Sequence, residues 1–205
     1  MSSGKEYVVL APAYDAVFEP LLRRVRECIV EMIPSRARVL EVACGTGAQA
    51  VRLRRINAEY TGVDLSPSML RRAGTKNVNC READGRNLPY AGGEFDAATI
   101  SLALHEMEPE VRDGVAGELV RVLRPGGVLI VADYTLPSPD ISFGRLFKGG
   151  IGFIERLAGG SHYRNYREFM QLGGLRAYLE RLGMTVVNDK PFFRDNIAVM
   201  KLRRA

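Results

Sequence analysis

Short apolar runs alternate with amphipathic segments along the first two thirds of the chain. Each run predicts a buried strand of a parallel sheet, because a strand covered on both faces has few polar positions. The segments between the runs repeat apolar residues every three or four positions, which predicts helices. Strands are expected at 39–43, 59–63, 77–81, 95–104 and 128–132, and helices at 19–32, 48–56, 66–73 and 110–123. This alternation predicts right-handed βαβ crossovers and a doubly wound α/β sheet.

The pattern changes after the fifth predicted strand. Residues 141–158 have apolar positions at helical spacing with basic residues between them, and four glycines that weaken the helix. A helix over 166–182 and a hairpin from 184–187 and 197–202 are expected next. We therefore expect one domain, divided into an N-terminal helical segment, a core, an insertion or lid, and a C-terminal helix and hairpin (1–36, 37–135, 136–165 and 166–205).

The turn after the first strand carries the candidate chemistry. Gly45 and Gly47 end the strand and begin a helix, and glycines there allow the backbone to approach a bound group closely. Glu41, Asp64 and Asp84 lie at the ends of three successive predicted strands. Because ligands bind at the carboxyl ends of parallel strands, these carboxylates are expected to converge on one crevice. A carboxylate at Asp64 can accept hydrogen bonds from both hydroxyls of a ribose.

Residues 37–135 resemble the class I S-adenosylmethionine (AdoMet)-dependent methyltransferases. The match comprises the acidic start at Glu41, the turn at 43–47, Phe95-Asp96 and the Leu-Arg-Pro-Gly-Gly turn at 123–127. Ala43 replaces the first glycine of the family's usual pattern, which resembles the branch that methylates carbon in ubiquinone and menaquinone biosynthesis. The resemblance implies a Rossmann-like seven-stranded sheet with helices on both faces, an antiparallel last strand and AdoMet as cofactor. After the fifth strand we expect a helical insertion.

The same resemblance implies roles for particular residues. Asp64 would hold the ribose, Asp84 the adenine amine, and Tyr14 would help to close the methionine end. His105, at the end of the fourth strand, is the candidate general base or substrate-orienting group, with a structural role equally open, and a surface loop is the favoured interpretation of His162. The full set of expected cofactor contacts is Tyr14, Glu41, Ala43, Gly45, Gly47, Asp64, Leu65, Ala83, Asp84 and Gly85.

Two other functions fit parts of the pattern. Residues 45–50 satisfy the Gly-x-Gly-x-x-Ala spacing of a nicotinamide-dependent oxidoreductase, although no hydride-transfer constellation such as Tyr-x-x-x-Lys accompanies it. A protein that binds AdoMet without catalysis is the third alternative. If the chain is a methyltransferase, a small-molecule acceptor is expected, because signatures of amino methylation on adenine or glutamine and of cytosine methylation are absent. A hydrophobic or quinone-type ring is compatible, and the identity of the methylated atom stays open.

Composition and charge narrow these expectations. The chain has 205 residues, of which 46% are hydrophobic, enough for the core of one domain. Its net charge of +5 comes from short basic clusters without interleaved aromatics, which disfavours nucleic acid and leaves contact with an anionic membrane surface open. Cys28, Cys44 and Cys80 are far apart, so we expect reduced core thiols, no metal site and no arsenic methylation. With no leader or membrane-spanning stretch evident, a cytoplasmic location is expected.

Overall fold

A mixed sheet forms the centre of the molecule in the computed structural model, which describes residues 22–136 and 160–204. Within those ranges, seven strands are arranged in the order β3-β2-β1-β4-β5-β7-β6. The first five run parallel, and β7 is antiparallel to both β5 and β6. The strands are β1 (Arg38–Val42), β2 (Glu59–Asp64), β3 (Cys80–Glu82), β4 (Phe95–Ser101), β5 (Leu123–Tyr134), β6 (Thr185–Phe192) and β7 (Ile197–Arg203). The predicted fold and its antiparallel last strand are confirmed.

Helices cover both faces of the sheet because successive strand residues point to opposite sides. Val39 packs in a cluster with residues of the first helix, whereas its neighbour Leu40 packs in a second cluster with the helices that follow β4 and β5. Ala97 and Ala98 divide between the two clusters in the same way. The helices are α1 (22–32), α2 (Ala48–Leu53), α3 (Pro67–Gly74), α4 (Pro109–Val122), α5 (Gly160–Gln171) and α6 (Gly174–Glu180), with 3-10 turns at Arg54–Ile56 and Leu104–Glu106.

Several predicted boundaries shift for identifiable reasons. The helix expected over 166–182 is two helices, because Gly173 and Gly174 both adopt positive φ angles, 103° and 68°, that interrupt the helical path. The turn expected before residue 128 lies inside β5, where the register with β4 shifts between Phe95 and Ala97. At α3 the predicted start is confirmed, since Ser66 accepts a hydrogen bond from the Met69 N–H and Pro67 occupies the first turn.

Some predictions fall outside the described residues. Tyr14, the first part of the N-terminal segment and the amphipathic stretch 141–158 all lie in the ranges 1–21 and 137–159. Across 22–136 and 160–204, no helix has the combination of length and apolarity needed to cross a membrane.

Candidate functional site

A cavity of about 770 Å³ opens at the carboxyl edge of the sheet, where the predicted crevice was expected. Its wall comes from α1, from the chain that follows β1, β2, β3 and β4, and from the start of α5. Six of the predicted cofactor residues line it, namely Glu41, Ala43, Gly45, Asp64, Leu65 and Asp84. Three separate strand ends therefore bring carboxylates to a single cavity large enough for a small-molecule cofactor and its acceptor.

The two glycines of the turn have different tasks. Both adopt left-handed backbone angles, with φ of 53° at Gly45 and 71° at Gly47. At Gly45 the space that a Cβ would occupy is open, and this residue lies on the cavity wall. At Gly47 a Cβ would stand 2.7 Å from Val78 Cγ2 and 3.3 Å from Ala73 Cβ. Gly45 thus permits approach by a ligand, whereas Gly47 permits close packing of the turn against α3 and the chain that follows it.

Asp64 links the ends of β1 and β2. Its Oδ2 accepts the backbone N–H of Gly45 at 2.7 Å, and its Oδ1 accepts the N–H of Ser66 at 2.8 Å. Burial raises the pKa of Asp64, and the hydrogen bonds from backbone N–H groups oppose that rise. A carboxylate has about four acceptor positions, more than these N–H groups use, so a hydroxyl group of a ligand in the cavity can also donate to it.

Glu41 lies almost fully buried at the base of the cavity, with 1% of its surface exposed. The Tyr60 hydroxyl donates a 2.5 Å hydrogen bond to Glu41 Oε2. Burial raises the pKa of Glu41 to about 8, and the bond from Tyr60 and the charge of Arg26 oppose this rise. Arg26, on α1, lines the same cavity. Arg26 supplies a positive charge, and Glu41, whose raised pKa keeps it mostly protonated at neutral pH, supplies a hydrogen-bonding carboxyl group at the same cavity. This combination is suited to an amino-acid group.

Asp84 forms an ion pair with Arg86, and both side chains line the cavity. Arg86 donates to both carboxylate oxygens, with Nη2 at 2.6 Å from Oδ2 and Nε at 3.1 Å from Oδ1. Hydrogen bonding from the Arg86 side chain lowers the pKa of Asp84. The adjacent predicted contacts lie behind the wall: the Ala83 N–H donates to the Asp64 carbonyl, and a Cβ at Gly85 would meet Val42 at 2.9 Å. Among 83–85, only Asp84 lines the cavity.

His105 lies behind the cavity wall, and Glu106 lies on it. Only 2% of His105 is exposed, and its Nδ1 is 2.6 Å from Asp133 Oδ1. Asp133 also accepts the backbone N–H groups of Leu104 and His105, which fixes the turn after β4. Glu106 therefore lines the cavity, whereas His105 lies behind it. A catalytic role for His105 stays a prediction.

The Glu106 carboxylate lies between two imidazoles. Its Oε1 is 3.7 Å from His105 Nε2, and its Oε2 is 3.7 Å from His162 Nδ1. His162, which the sequence favoured as a surface residue, is mostly buried on α5 and lines the cavity. Each oxygen of one carboxylate therefore lies near a different histidine, and Asp133 orients the first of them. Such an arrangement can hold a proton at Glu106 or disperse its charge.

Two side chains absent from the sequence analysis hold this turn in place. Arg112 on α4 is 1% exposed and donates to the carbonyls of Leu104 and Met107, both at 2.9 Å. Its guanidinium also lies over the Phe169 ring at 4.8 Å from the centroid. Asn165 on α5 donates to the Glu106 carbonyl at 2.7 Å. The sequence did contain a sign that Arg112 is buried. It lies on the apolar face of α4, three and four residues before two buried residues of that face (Val115 and Ala116).

Cys44 and Cys80 meet across Gly62, contrary to the expectation that the three cysteines stay apart. A Cβ at Gly62 would lie 2.9 Å from each sulfur and 2.5 Å from the Tyr60 hydroxyl oxygen. The absent side chain of Gly62 leaves room for both thiols. Cys28, on α1, packs in a separate apolar cluster. The argument against arsenic methylation from the lack of a thiol cluster therefore loses its premise.

The charged residues of the cavity wall distinguish between AdoMet and a nicotinamide dinucleotide as the cofactor. Five carboxylates and two guanidinium groups line it: Glu41, Asp64, Asp84, Glu106 and Glu108, with Arg26 and Arg86. This excess of acidic groups suits a ligand that carries a sulfonium, an amine and hydroxyl groups. It opposes the pyrophosphate of a nicotinamide dinucleotide, which needs cationic or N–H donors. The residues present thus fit AdoMet.

Comparison with known proteins decides between these cofactors. A family model described as a methyltransferase domain matches residues 39–127. A demethylmenaquinone methyltransferase of Thermus thermophilus is 35% identical over 155 residues, which are 68% of this chain and 68% of that protein. The chain belongs to the class I AdoMet-dependent methyltransferases. The oxidoreductase alternative is therefore excluded, and AdoMet is confirmed as the cofactor.

Other methyltransferases share the sequence or the fold. A demethylmenaquinone methyltransferase of Corynebacterium kroppenstedtii is 34% identical over 136 residues, which are 65% of this chain and 57% of that relative's length. A crystal structure from Thermotoga maritima, described as an AdoMet-dependent and possible histamine N-methyltransferase, has a TM-score of 0.67 and 19% identity, with 98% of this chain and 99% of that one covered. An O-methyltransferase family protein from Burkholderia thailandensis has a TM-score of 0.68 and 16% identity, with 95% and 59% covered. The two structures show the fold that this methyltransferase shares.

Proposed function

We propose that this methyltransferase transfers a methyl group from AdoMet to a small apolar ring that carries an ionisable hydroxyl, of the quinol type, and that Glu106 accepts the hydroxyl proton. The observation that carries the proposal is the position of Glu106 on the cavity wall between His105 and His162. Apolar atoms surround it on the same wall, from Leu102, Ala103, Met107 and Val111. A ring can pack on these side chains while its hydroxyl faces the carboxylate.

The cofactor end of the cavity uses the acidic residues of the strand ends. Asp64 accepts from the ribose hydroxyls with its remaining lone pairs, and Asp84 accepts from the adenine amine. Glu41 and Arg26 bind the amino and carboxylate groups of the methionine part. Gly45 has no side chain, so AdoMet can approach the backbone of the turn closely there. When bound, AdoMet supplies an electrophilic methyl group on a positively charged sulfur.

The acceptor end needs a group that receives one proton for each methyl transferred. Ionisation of the ring hydroxyl gives its electrons to the ring and makes the neighbouring ring carbon more nucleophilic, so a carboxylate at Glu106 favours attack from carbon. The apolar side chains around it exclude water, which strengthens the electrostatic effect of the two imidazoles on that carboxylate. Asp133 keeps the imidazole of His105 oriented. The chain thereby positions the acceptor and holds its proton, and proximity contributes the rest.

The relatives support the choice of acceptor. Two proteins that share over a third of their aligned residues with this chain are named demethylmenaquinone methyltransferases. Their names describe a quinone-type acceptor, and the apolar wall near Glu106 is compatible with such a ring. Within the part of the chain that the structure describes, the acceptor end also offers the amide of Asn165 and the hydroxyl of Ser161 for polar substituents of the ring.

The test is a comparison of acceptors under one set of conditions. Purified protein is incubated with methyl-labelled AdoMet and with demethylated naphthoquinol kept reduced, the same compound oxidised, a soluble phenol, or a primary amine. We expect labelled product and S-adenosylhomocysteine from the naphthoquinol, with the label on carbon. Product from the amine alone would contradict the proposal, and AdoMet binding without turnover on any acceptor would favour a non-catalytic role.

A further inference from the structure

Cys44 and Cys80 form a paired-thiol group that the proposed methyl transfer does not use. Cys44 directly precedes Gly45 and lines the cofactor cavity, whereas Cys80 lies on β3. The contact between them is the largest influence on each pKa: it lowers the pKa of the Cys80 thiol and raises that of Cys44. The Tyr60 hydroxyl oxygen lies 3.9 Å from Cys80 Sγ and completes the cluster.

The strand arrangement predicts a backbone separation too large for a direct sulfur–sulfur bond between the two cysteines. Cys80 pairs with Gly62 on one side of β2, and the Cys44 N–H donates to the Val63 carbonyl on the other side. Two strand spacings separate Cα atoms by about 9.5 Å, whereas a disulfide needs about 6.8 Å or less. The thiols reach each other only because Gly62, between them, has no side chain.

A bridging metal ion relaxes this limit. A disulfide holds its sulfur atoms about 2 Å apart, but two metal–sulfur bonds of about 2.3 Å allow a separation of up to about 4.6 Å. Soft thiolate ligands select monovalent copper, zinc and iron–sulfur clusters, and of these monovalent copper needs the fewest ligands. Across the described residues, no group of three or more histidine, cysteine, aspartate or glutamate side chains is arranged to hold a metal. The two thiolates alone form a two-ligand set, an arrangement that monovalent copper accepts.

We propose that Cys44 and Cys80 form a two-thiolate site for monovalent copper, and that its occupation weakens AdoMet binding. One copper ion displaces a proton from each thiol, so that two protons leave to solvent and the bound group carries one negative charge. The proposed coordination displaces the Cys44 sulfur, and Cys44 is bonded directly to Gly45. The Gly45 N–H donates a hydrogen bond to Asp64, so the displacement of Cys44 also shifts the turn at Gly45.

The test measures copper and AdoMet binding separately. Under anaerobic conditions the protein competes for monovalent copper with a chromophoric chelator, and AdoMet affinity is measured by calorimetry with and without one equivalent of the metal. We expect one copper bound per chain, and AdoMet affinity lowered at least tenfold (about 1.4 kcal/mol) in the copper-loaded protein. Cys80→Ser should lose copper affinity by about 100-fold or more, because it removes a direct ligand, while its copper-free form binds AdoMet within a few-fold of wild type.

Cys28→Ser is the matched control, since that cysteine packs elsewhere, and it should bind copper like wild type. Equal copper affinity of wild type and Cys80→Ser would overturn the site. Copper binding that leaves AdoMet affinity unchanged would overturn its coupling to the cofactor. If Cys80→Ser fails to fold, blocking of wild-type thiols by an alkylating agent decides the first question: bound copper should protect two of the three cysteines. Mass analysis that shows a Cys44–Cys80 disulfide in aerated protein would overturn the bridged arrangement.

Discussion

Asp64 Oδ2 lies 2.7 Å from the backbone nitrogen of Gly45, a residue 19 positions earlier in the chain. This bond joins the end of β2 to the turn that follows β1, so one side chain both shapes the cofactor turn and lines the cavity. A carboxylate that is buried and already accepts two N–H groups is difficult to replace, because its loss leaves those donors without their partner.

Asp64→Ala should therefore weaken AdoMet binding by at least about 1.4 kcal/mol, since charge-assisted hydrogen bonds to the ligand are lost. Calorimetric titration with AdoMet measures this change. Asp64→Asn keeps one acceptor oxygen for Gly45 and should fall between wild type and Asp64→Ala. Unchanged affinity in Asp64→Ala, with a normal melting temperature, would remove Asp64 from the cofactor site.

Glu41 should make stability depend on pH. Burial raises its pKa from 4.5 to about 8 in the folded protein, so the folded state holds a proton that the unfolded state releases. Its contribution to the free energy of unfolding is present below pH 4.5 and is lost as pH rises toward 8, at up to about 1.4 kcal/mol per pH unit. Glu41→Gln keeps an acceptor for Tyr60 and does not titrate.

Urea unfolding of wild type and Glu41→Gln at several pH values between 5 and 8 tests this expectation. The stability of the variant relative to wild type should increase with pH, and other titrating groups cancel in the difference. A constant difference would show that Glu41 has a similar pKa in both states.

Glu106→Gln should lower turnover by about 100-fold or more while AdoMet affinity stays within a few-fold of wild type, because a general base is lost but the cofactor contacts remain. Single-turnover kinetics with the accepted ring compound measure the effect. Glu110→Gln is the control, since Glu110 is an exposed residue in the first turn of α4. If both variants retain wild-type turnover, proton removal at Glu106 has no part in the reaction.

Arg112→Met should reduce both stability and turnover without a comparable loss of AdoMet affinity. The change leaves the carbonyls of Leu104 and Met107 without their donor and frees the turn that positions Glu106. A loss of about 1–3 kcal/mol in the free energy of unfolding is expected. Arg112→Lys, which keeps the charge and one donor, should recover part of the turnover, measured below the melting temperature of each variant. Full turnover in Arg112→Met would show that the turn holds its position without this side chain.

The sheet and the carboxylates at its carboxyl edge were predictable because both depend on local patterns. Apolar runs define the strands, and the residue after each strand must lie at the carboxyl edge, so Asp64 and Asp84 follow from the position of each strand end. The prediction was less exact at His105 and Glu106. Which of two neighbours faces the cavity depends on a 3-10 turn and on Asp133, which is 28 residues away.

Contacts across unrelated segments could not be predicted. The meeting of Cys44 and Cys80 depends on the register of β2 against β3 and on a glycine between them, neither of which a single sequence specifies. The same holds for His162, whose helix reaches the site only through tertiary packing against the turn after β4. These residues come together through the fold, so their chemistry was visible only in the structure.

The hydrogen bond from Asn165 to the Glu106 carbonyl couples the position of Glu106 to that of α5. The same helix carries His162, so α5 touches both the backbone and the carboxylate of Glu106. A displacement of α5 along its axis would pull the proton acceptor with it. Under the proposed function, an acceptor that packs against α5 would therefore also adjust the position of Glu106.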